Sequence, residues 1–172
     1  MNNISNKEKL IALVESLSRP GAKEVAELIR NSRFASVHGG ASHHKYHGGL
    51  VDHSLEVYEN MKAKAAGLDI DEESIIICSI FHDLGKLRGQ KKHPSHSLAI
   101  LDECGFMLTK EERMAIATHH RSEGFLKLHS LQSLLKRSDM LSTGEWKESH
   151  HKNNTTLSKR IKNSALKLIS KL

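Results

Sequence analysis

Aromatic residues are scarce, with four Phe, two Tyr and one Trp in 172 residues. The core must therefore be aliphatic, and little is available for the base-stacking platform that single-strand nucleic-acid binders use. Proline is scarcer still, at positions 20 and 94 only. Few breakers and little β-branched alternation predict an all-α chain. The two cysteines, Cys78 and Cys104, make no disulfide framework, and neither belongs to the ligand-type series below, which argues against a Cys-type structural zinc site. Cys78 lies in an apolar run and reads as an inert core thiol. No apolar stretch approaches the roughly 20 residues a membrane span needs, and Met1-Asn2-Asn3 leads into a polar helix start rather than a signal peptide. The expectation is a soluble cytoplasmic protein with no membrane partner.

Acidic residues are nearly missing from the last part of the chain. Residues 146–172 hold seven Lys/Arg and one acid, Glu148. This segment thus accounts for the whole formal net charge of +6, and residues 1–145 are balanced. The length suits one domain with a sizeable core. We read 1–145 as that domain and 146–172 as a basic amphipathic helix packed on it, since Leu157, Ile161, Ala165, Leu168 and Leu172 step by three or four. A basic segment attracts nucleic acid or acidic surfaces; its plainer reading is a solvated helix face.

Capping boxes at Ser5-Asn6-Lys7-Glu8 and Thr109-Lys110-Glu111-Glu112 mark two helix starts. Pro20-Gly21 is expected to end the first helix, and a short second helix carries Val25, Leu28 and Ile29. Residues 31–49 show no periodicity, and a loop that long is usually functional. Further helices are expected from Leu50 to Ala66, from Asp71 through the run Ile75–Phe81, from Pro94, through Met114–Ile116, and from about Leu128 to Leu141.

The apolar run ends in His82-Asp83, two strong ligand groups at the end of a buried helix, followed by Leu84-Gly85-Lys86, a helix stop and a cation. His53, His93, His119 and Asp139 recur similarly at helix ends or on apolar faces. A lone helix histidine is more often structural than a ligand, but a carboxylate among leucines, as at Asp139, is costly unless paired or bound to metal. Together these residues suit a divalent metal ion, Mn, Co, Fe, Zn, Ni or Mg.

The ordered series His53, His82-Asp83, Asp139 resembles the H…HD…D pattern of the HD-domain metal-dependent phosphohydrolase superfamily. The blocks Gly48-Gly49-Leu50-Val51-Asp52-His53-Ser54-Leu55-Glu56-Val57-Tyr58 and Phe81-His82-Asp83-Leu84-Gly85-Lys86 carry the likeness over roughly Phe34 to Ser142. His93-Pro94-Ser95-His96-Ser97 and Ala115-Ile116-Ala117-Thr118-His119 look like the extra histidines of members that hold a second metal. The resemblance implies a single HD-domain helical bundle with its metal site in the core between helices. His53, His82, Asp83 and Asp139 would bind one ion, and Asp83 would bridge to a second held by His93 and His119. His120 stands open between ligand, substrate contact and neither. The absence of a Gly-Tyr-Pro motif after His119-His120 counts against the branch that cleaves cyclic di-GMP.

The implied chemistry is hydrolysis of a phosphate ester of a nucleotide, a small molecule, by metal-activated water. Lys86 could hold a phosphate oxygen, or be a helix C-terminal lysine facing the dipole; Arg121 has the same ambiguity. His96 or His120 could protonate the leaving oxygen. The loop before the first ligand helix offers Arg33, His44, Lys45 and Tyr46 as substrate contacts, with His38 and His47 read as solvated. The alternatives are a 3′–5′ exonuclease or phosphodiesterase gripping single-stranded nucleic acid with the basic segment, and a non-catalytic nucleotide-binding module.

Overall fold

The structure is a computed structural model that describes residues 5–40, 43–121 and 130–144. Among them are seven α-helices and no strand: α1 Asn6–Glu15, α2 Ala22–Asn31, α3 Gly49–Ala65, α4 Glu72–Phe81, α5 His93–Glu103, α6 Lys110–Thr118 and α7 Leu131–Ser142. Two 3₁₀ turns, Arg33–Ser36 and Leu84–Arg88, fall between them. The all-α expectation holds. The expected basic helix over 146–172 lies outside the described residues.

Local chemistry accounts for the helix ends. Ser5 and Thr109 each close a full capping box, and Asp71 and Ser130 cap α4 and α7 through their side chains. Pro20-Gly21 does not end the first helix. That helix stops at Glu15, and Gly21, at φ 83°, is the N-cap of α2. A side chain there would also meet the Phe106 backbone at 2.5 Å.

Helix α4 is the axis of the bundle. Every residue from Ser74 to Phe81 is buried, and α4 packs against α1, α3, α6 and α7. Each fully buried Ile or Leu here contributes about 1.5–3 kcal/mol of transfer free energy. The aliphatic core gathers around it from Leu10, Val14, Ile29, Leu50, Val57, Met61, Ile100, Leu101, Ile116 and Leu135. Cys78 is fully buried in that core, and burial raises its thiol well above the ordinary range.

One buried carboxylate belongs to the scaffold. Glu112 is fully buried and accepts hydrogen bonds from the Thr109 backbone and from Ser74 Oγ, both at 2.7 Å. It also pairs with Arg19, 3.1 Å away, which in turn binds Glu73 at 3.0 Å. This network ties the α1–α2 connection to the starts of α4 and α6. Its acceptors are satisfied, as a buried carboxylate requires.

Candidate metal centre

The far end of α4 is different. His82 is its C-cap, and Asp83 follows with a φ of −107° that turns the chain. Helix α3 brings His53 from its second turn, α7 brings Asp139, α5 begins at His93, and His119 caps the end of α6. All six side chains are buried.

Three of the four buried histidines are oriented by a carbonyl three residues earlier. Nδ1 of His82 donates to the Ser79 carbonyl at 2.9 Å, Nδ1 of His93 to Gln90 at 2.7 Å, and Nδ1 of His119 to Ile116 at 2.8 Å. His53 reaches the same state through Ser142. The Ser142 hydroxyl donates to the Asp139 carbonyl at 2.9 Å, so its oxygen is left to accept from His53 Nδ1 at 3.0 Å. Each of these oxygens accepts, so each Nδ1 carries a proton, and a ring that is neutral aims its Nε2 lone pair inward. Such partners fix tautomer and ring angle in metal sites.

The inward lone pairs converge on Asp83. Its Oδ2 lies 3.4 Å from His53 Nε2 and 3.4 Å from His82 Nε2, and Asp139 Oδ1 stands 3.3 Å from His53 and 3.9 Å from His82. Its Oδ1 faces the other way, 2.9 Å from His93 Nε2 and 3.8 Å from His119 Nε2. The paired nitrogens also face each other: His53 and His82 at 3.3 Å, His93 and His119 at 3.4 Å, His120 and His93 at 2.9 Å. Donors about 2.1 Å from a shared cation stand roughly 3.0–3.4 Å apart, which is close to these separations apart from the 3.8 and 3.9 Å pairs. Asp83 Oδ1 is buried and, while the His93 ring 2.9 Å away is neutral, accepts no hydrogen bond. Opposed lone pairs and an orphaned carboxylate oxygen are what a cation would satisfy. The nitrogen and oxygen donor set fits a divalent metal.

Electrostatics follows from the same packing. Burial opposes charge on His53, but Asp139 and Asp83 outweigh it and lift the imidazole to about 9. Burial opposes ionisation of Asp139 too, and His53 and His82 overcome it, holding the carboxyl at about 2. Asp83, also against burial, is held well below the ordinary carboxylate range, chiefly by His82 and its hydrogen bonds to His53. His93 is raised, burial losing to Asp83. His119 is pushed down to about 3 by burial and by His82. His120 is lowered by burial and by His93.

A cavity of about 350 Å³ opens over this cluster, lined by His53, Asp83, His93, His119, His120 and Asp139 among others. His44 also lines it, with its ring 5.5 Å from His53 and its Nε2 3.2 Å from Glu56. Lys86 is buried, with Nζ 2.5 Å from Asp83 Oδ2 and donating to the Gly39 carbonyl. It lines both cavities near the site, and its two bonds clamp Asp83 to the loop. His96 packs beside Gly85 and does not line the cavity. Tyr46 donates to Asp52 at 2.8 Å and is half exposed, away from both cavities near the site. Arg121 presents its carbonyl to Lys136, and its side chain is not part of the lining. Arg33 and Lys45 line a neighbouring cavity, as does His38.

Sequence reasoning missed Lys136 and Ser142. Lys136 is buried, lines the cavity and donates to the Arg121 carbonyl at 2.5 Å. Both residues flank Asp139 by three positions, the spacing that puts side chains on one helix face; that spacing was the available signal.

No helix among the described residues is long and apolar enough to cross a membrane. Searches of curated proteins and of solved structures find no match. A family model for the HD domain matches residues 50–161, a span that contains every residue of the cluster around Asp83. With that match, the chain belongs to the HD-domain metal-dependent phosphohydrolase superfamily.

Proposed function

We propose that this protein hydrolyses a phosphate ester of a nucleotide. The observation that carries the reading is Asp83, whose two oxygens face two separate histidine sets while one oxygen accepts no hydrogen bond. His53, His82, Asp83 and Asp139 would hold one divalent ion; Asp83, His93 and His119 would hold a second, with His120 at its rim. Bound there, such ions supply Lewis acidity toward water and toward the phosphoryl oxygens.

The remaining work belongs to the chain. Lys136 keeps an ammonium at the cavity wall, with donors left over after its bond to the Arg121 carbonyl, and receives a phosphoryl oxygen. Lys86 holds Asp83 in place rather than touching substrate. Of the two histidines considered for the leaving oxygen, only His120 lines the cavity, and it would hand the proton over. In the net reaction the ester P–O bond breaks, water supplies hydroxyl to phosphorus, and a proton goes to the leaving oxygen. The exonuclease reading draws on residues 146–172, which lie outside the described residues, and nothing among the described ones favours it.

The test is phosphate release from nucleoside mono- and triphosphates, cyclic nucleotides and short oligonucleotides. Protein stripped by chelator would be reloaded in turn with Mn²⁺, Co²⁺, Mg²⁺ and Zn²⁺. Activity should follow reloading, and Asp83→Ala should lower it at least about a hundredfold. Full activity in that variant, or none on any phosphate ester under any metal, contradicts the reading.

A further inference from the structure

We infer that the substrate carries a second phosphate group besides the one it loses, and that the cavity beside the metal centre receives it. The inference rests on the phosphohydrolase reading and names the substrate class for that site. The two cavities share Gly40, Lys86 and Gln90 along a common wall. A molecule whose scissile phosphate faces Asp83 therefore extends directly into the second cavity. That cavity is the larger, about 690 Å³ against about 350 Å³. The metal-facing cavity alone sits at the low end of ligand-site volumes, roughly 300–1,000 Å³.

Charge identifies what the second cavity takes. Arg33, His38, Lys45 and Lys86 line it, and no carboxylate does among the described residues. Lys86 is spent on Asp83 and Gly39. Arg33 gives one N–H to the Leu87 carbonyl at 2.8 Å, which pins its guanidinium beside the turn that follows Asp83 and leaves further donors. Lys45 is exposed and has no ion-pair partner among the described residues. Arg30, Arg113 and Arg88 are by contrast neutralised, Arg30 by Glu15 and Arg113 by Asp102, both at 2.5 Å, and Arg88 by Glu103. Two cations without a carboxylate, on one concave wall next to the centre, match a dianionic group that accepts charge-assisted hydrogen bonds. The two cavities also differ in their need for metal. The first cavity holds Asp83 and Asp139 among its cations, whereas no carboxylate among the described residues opposes a phosphate in the second.

The experiment compares a nucleoside 5′-monophosphate with the 3′,5′-bisphosphate of the same nucleoside and with a 5′-phosphorylated dinucleotide. Two readouts are taken on the full chain: kcat and KM of the Mn²⁺-loaded protein, and calorimetric affinity of the protein held metal-free by chelator. A second phosphate should lower KM roughly tenfold or more, and should bind without metal. In the double variant Arg33→Gln, Lys45→Gln, checked for helical content, the ratio between the two-phosphate and one-phosphate substrates should fall toward one. Lys45→Gln alone, at an exposed position, should lower the same ratio if the double variant misfolds. Whichever of the bisphosphate and the dinucleotide gains the advantage identifies the source of the second phosphate. Equal KM and equal affinity with and without it, or an advantage that survives the variants, overturns the inference. Metal-free binding with no phosphate released under any metal would leave this cavity assigned and overturn the hydrolase reading instead.

Discussion

Single residues in this site were legible by type and hidden by role. His53, His82, Asp83, His93, His119 and Asp139 declare themselves as ligand-type groups where apolar residues belong, and the structure gathers all six. A hydroxyl that orients a ring carries no such mark. Ser142 looks like any helix-terminal serine, yet its oxygen is the acceptor for His53 Nδ1. We predict that Ser142→Ala weakens metal affinity about 10- to 100-fold, measured by competition with a chromogenic chelator, with little change in thermal stability of the metal-free protein. An unchanged affinity would show that the His53 tautomer is set elsewhere. The raised His53 gives a pH prediction. Its proton and a cation compete for the same Nε2, so apparent metal affinity should rise from pH 6.5 toward about 9 and proton release on binding should fall to little above it. The metal-free protein behaves in the opposite sense. Its native state keeps the proton that the unfolded chain loses, so the stability His53 contributes is present below pH 6.5 and is lost as pH rises through about 9. Denaturant titrations across that window check the sign.

Elements were the most legible level, because caps and period-3.6 patterning are local signals. Both capping boxes and the Asp71 cap appear as read. Pro20-Gly21 misled because a Pro-Gly pair looks the same whether it stops one helix or precedes the next. Gly85 misled for a deeper reason. It is no positive-φ helix stop; it is where two elements touch. A Cβ there would lie 2.0 Å from the His93 carbonyl and 2.5 Å from the Ser97 nitrogen. Ser97 Oγ accepts from Gly85 N at 2.7 Å and donates to the His82 carbonyl at 2.9 Å, which locks the start of α5 onto the His-Asp turn. Close approach between distant segments leaves no pattern in a single sequence. Gly85→Ala should push α5 and its His93 away, costing about 1–3 kcal/mol in denaturant unfolding. It should weaken the His93–His119 side of the site more than the His53–Asp139 side. Metal titration of the variant should keep one of two binding steps and lose or weaken the other; equal loss of both would place Gly85 in general packing alone.

At the scale of the whole molecule, the core and the metal centre are separate constructions. The apolar cluster around α4 and the Arg19–Glu112 network are complete without any ion. Chelation should therefore leave the helical circular dichroism intact and lower stability only by the binding free energy, about 2.7 kcal/mol when free metal is about a hundredfold above Kd. Loss of helix on chelation would instead mark a structural metal that the fold depends on. The loop over residues 31–49 stood out by its length, though not which of its residues face which cavity, since that depends on how it crosses the turn after Asp83. The central claim is that Asp83 joins two cation sites, and calorimetric titration of Mn²⁺ into chelator-stripped protein tests it most directly. The account predicts two equivalents per chain for the native protein and loss of both high-affinity steps in Asp83→Ala with its helical content retained. Absence of binding in the native protein, or two equivalents retained in the variant, would contradict it.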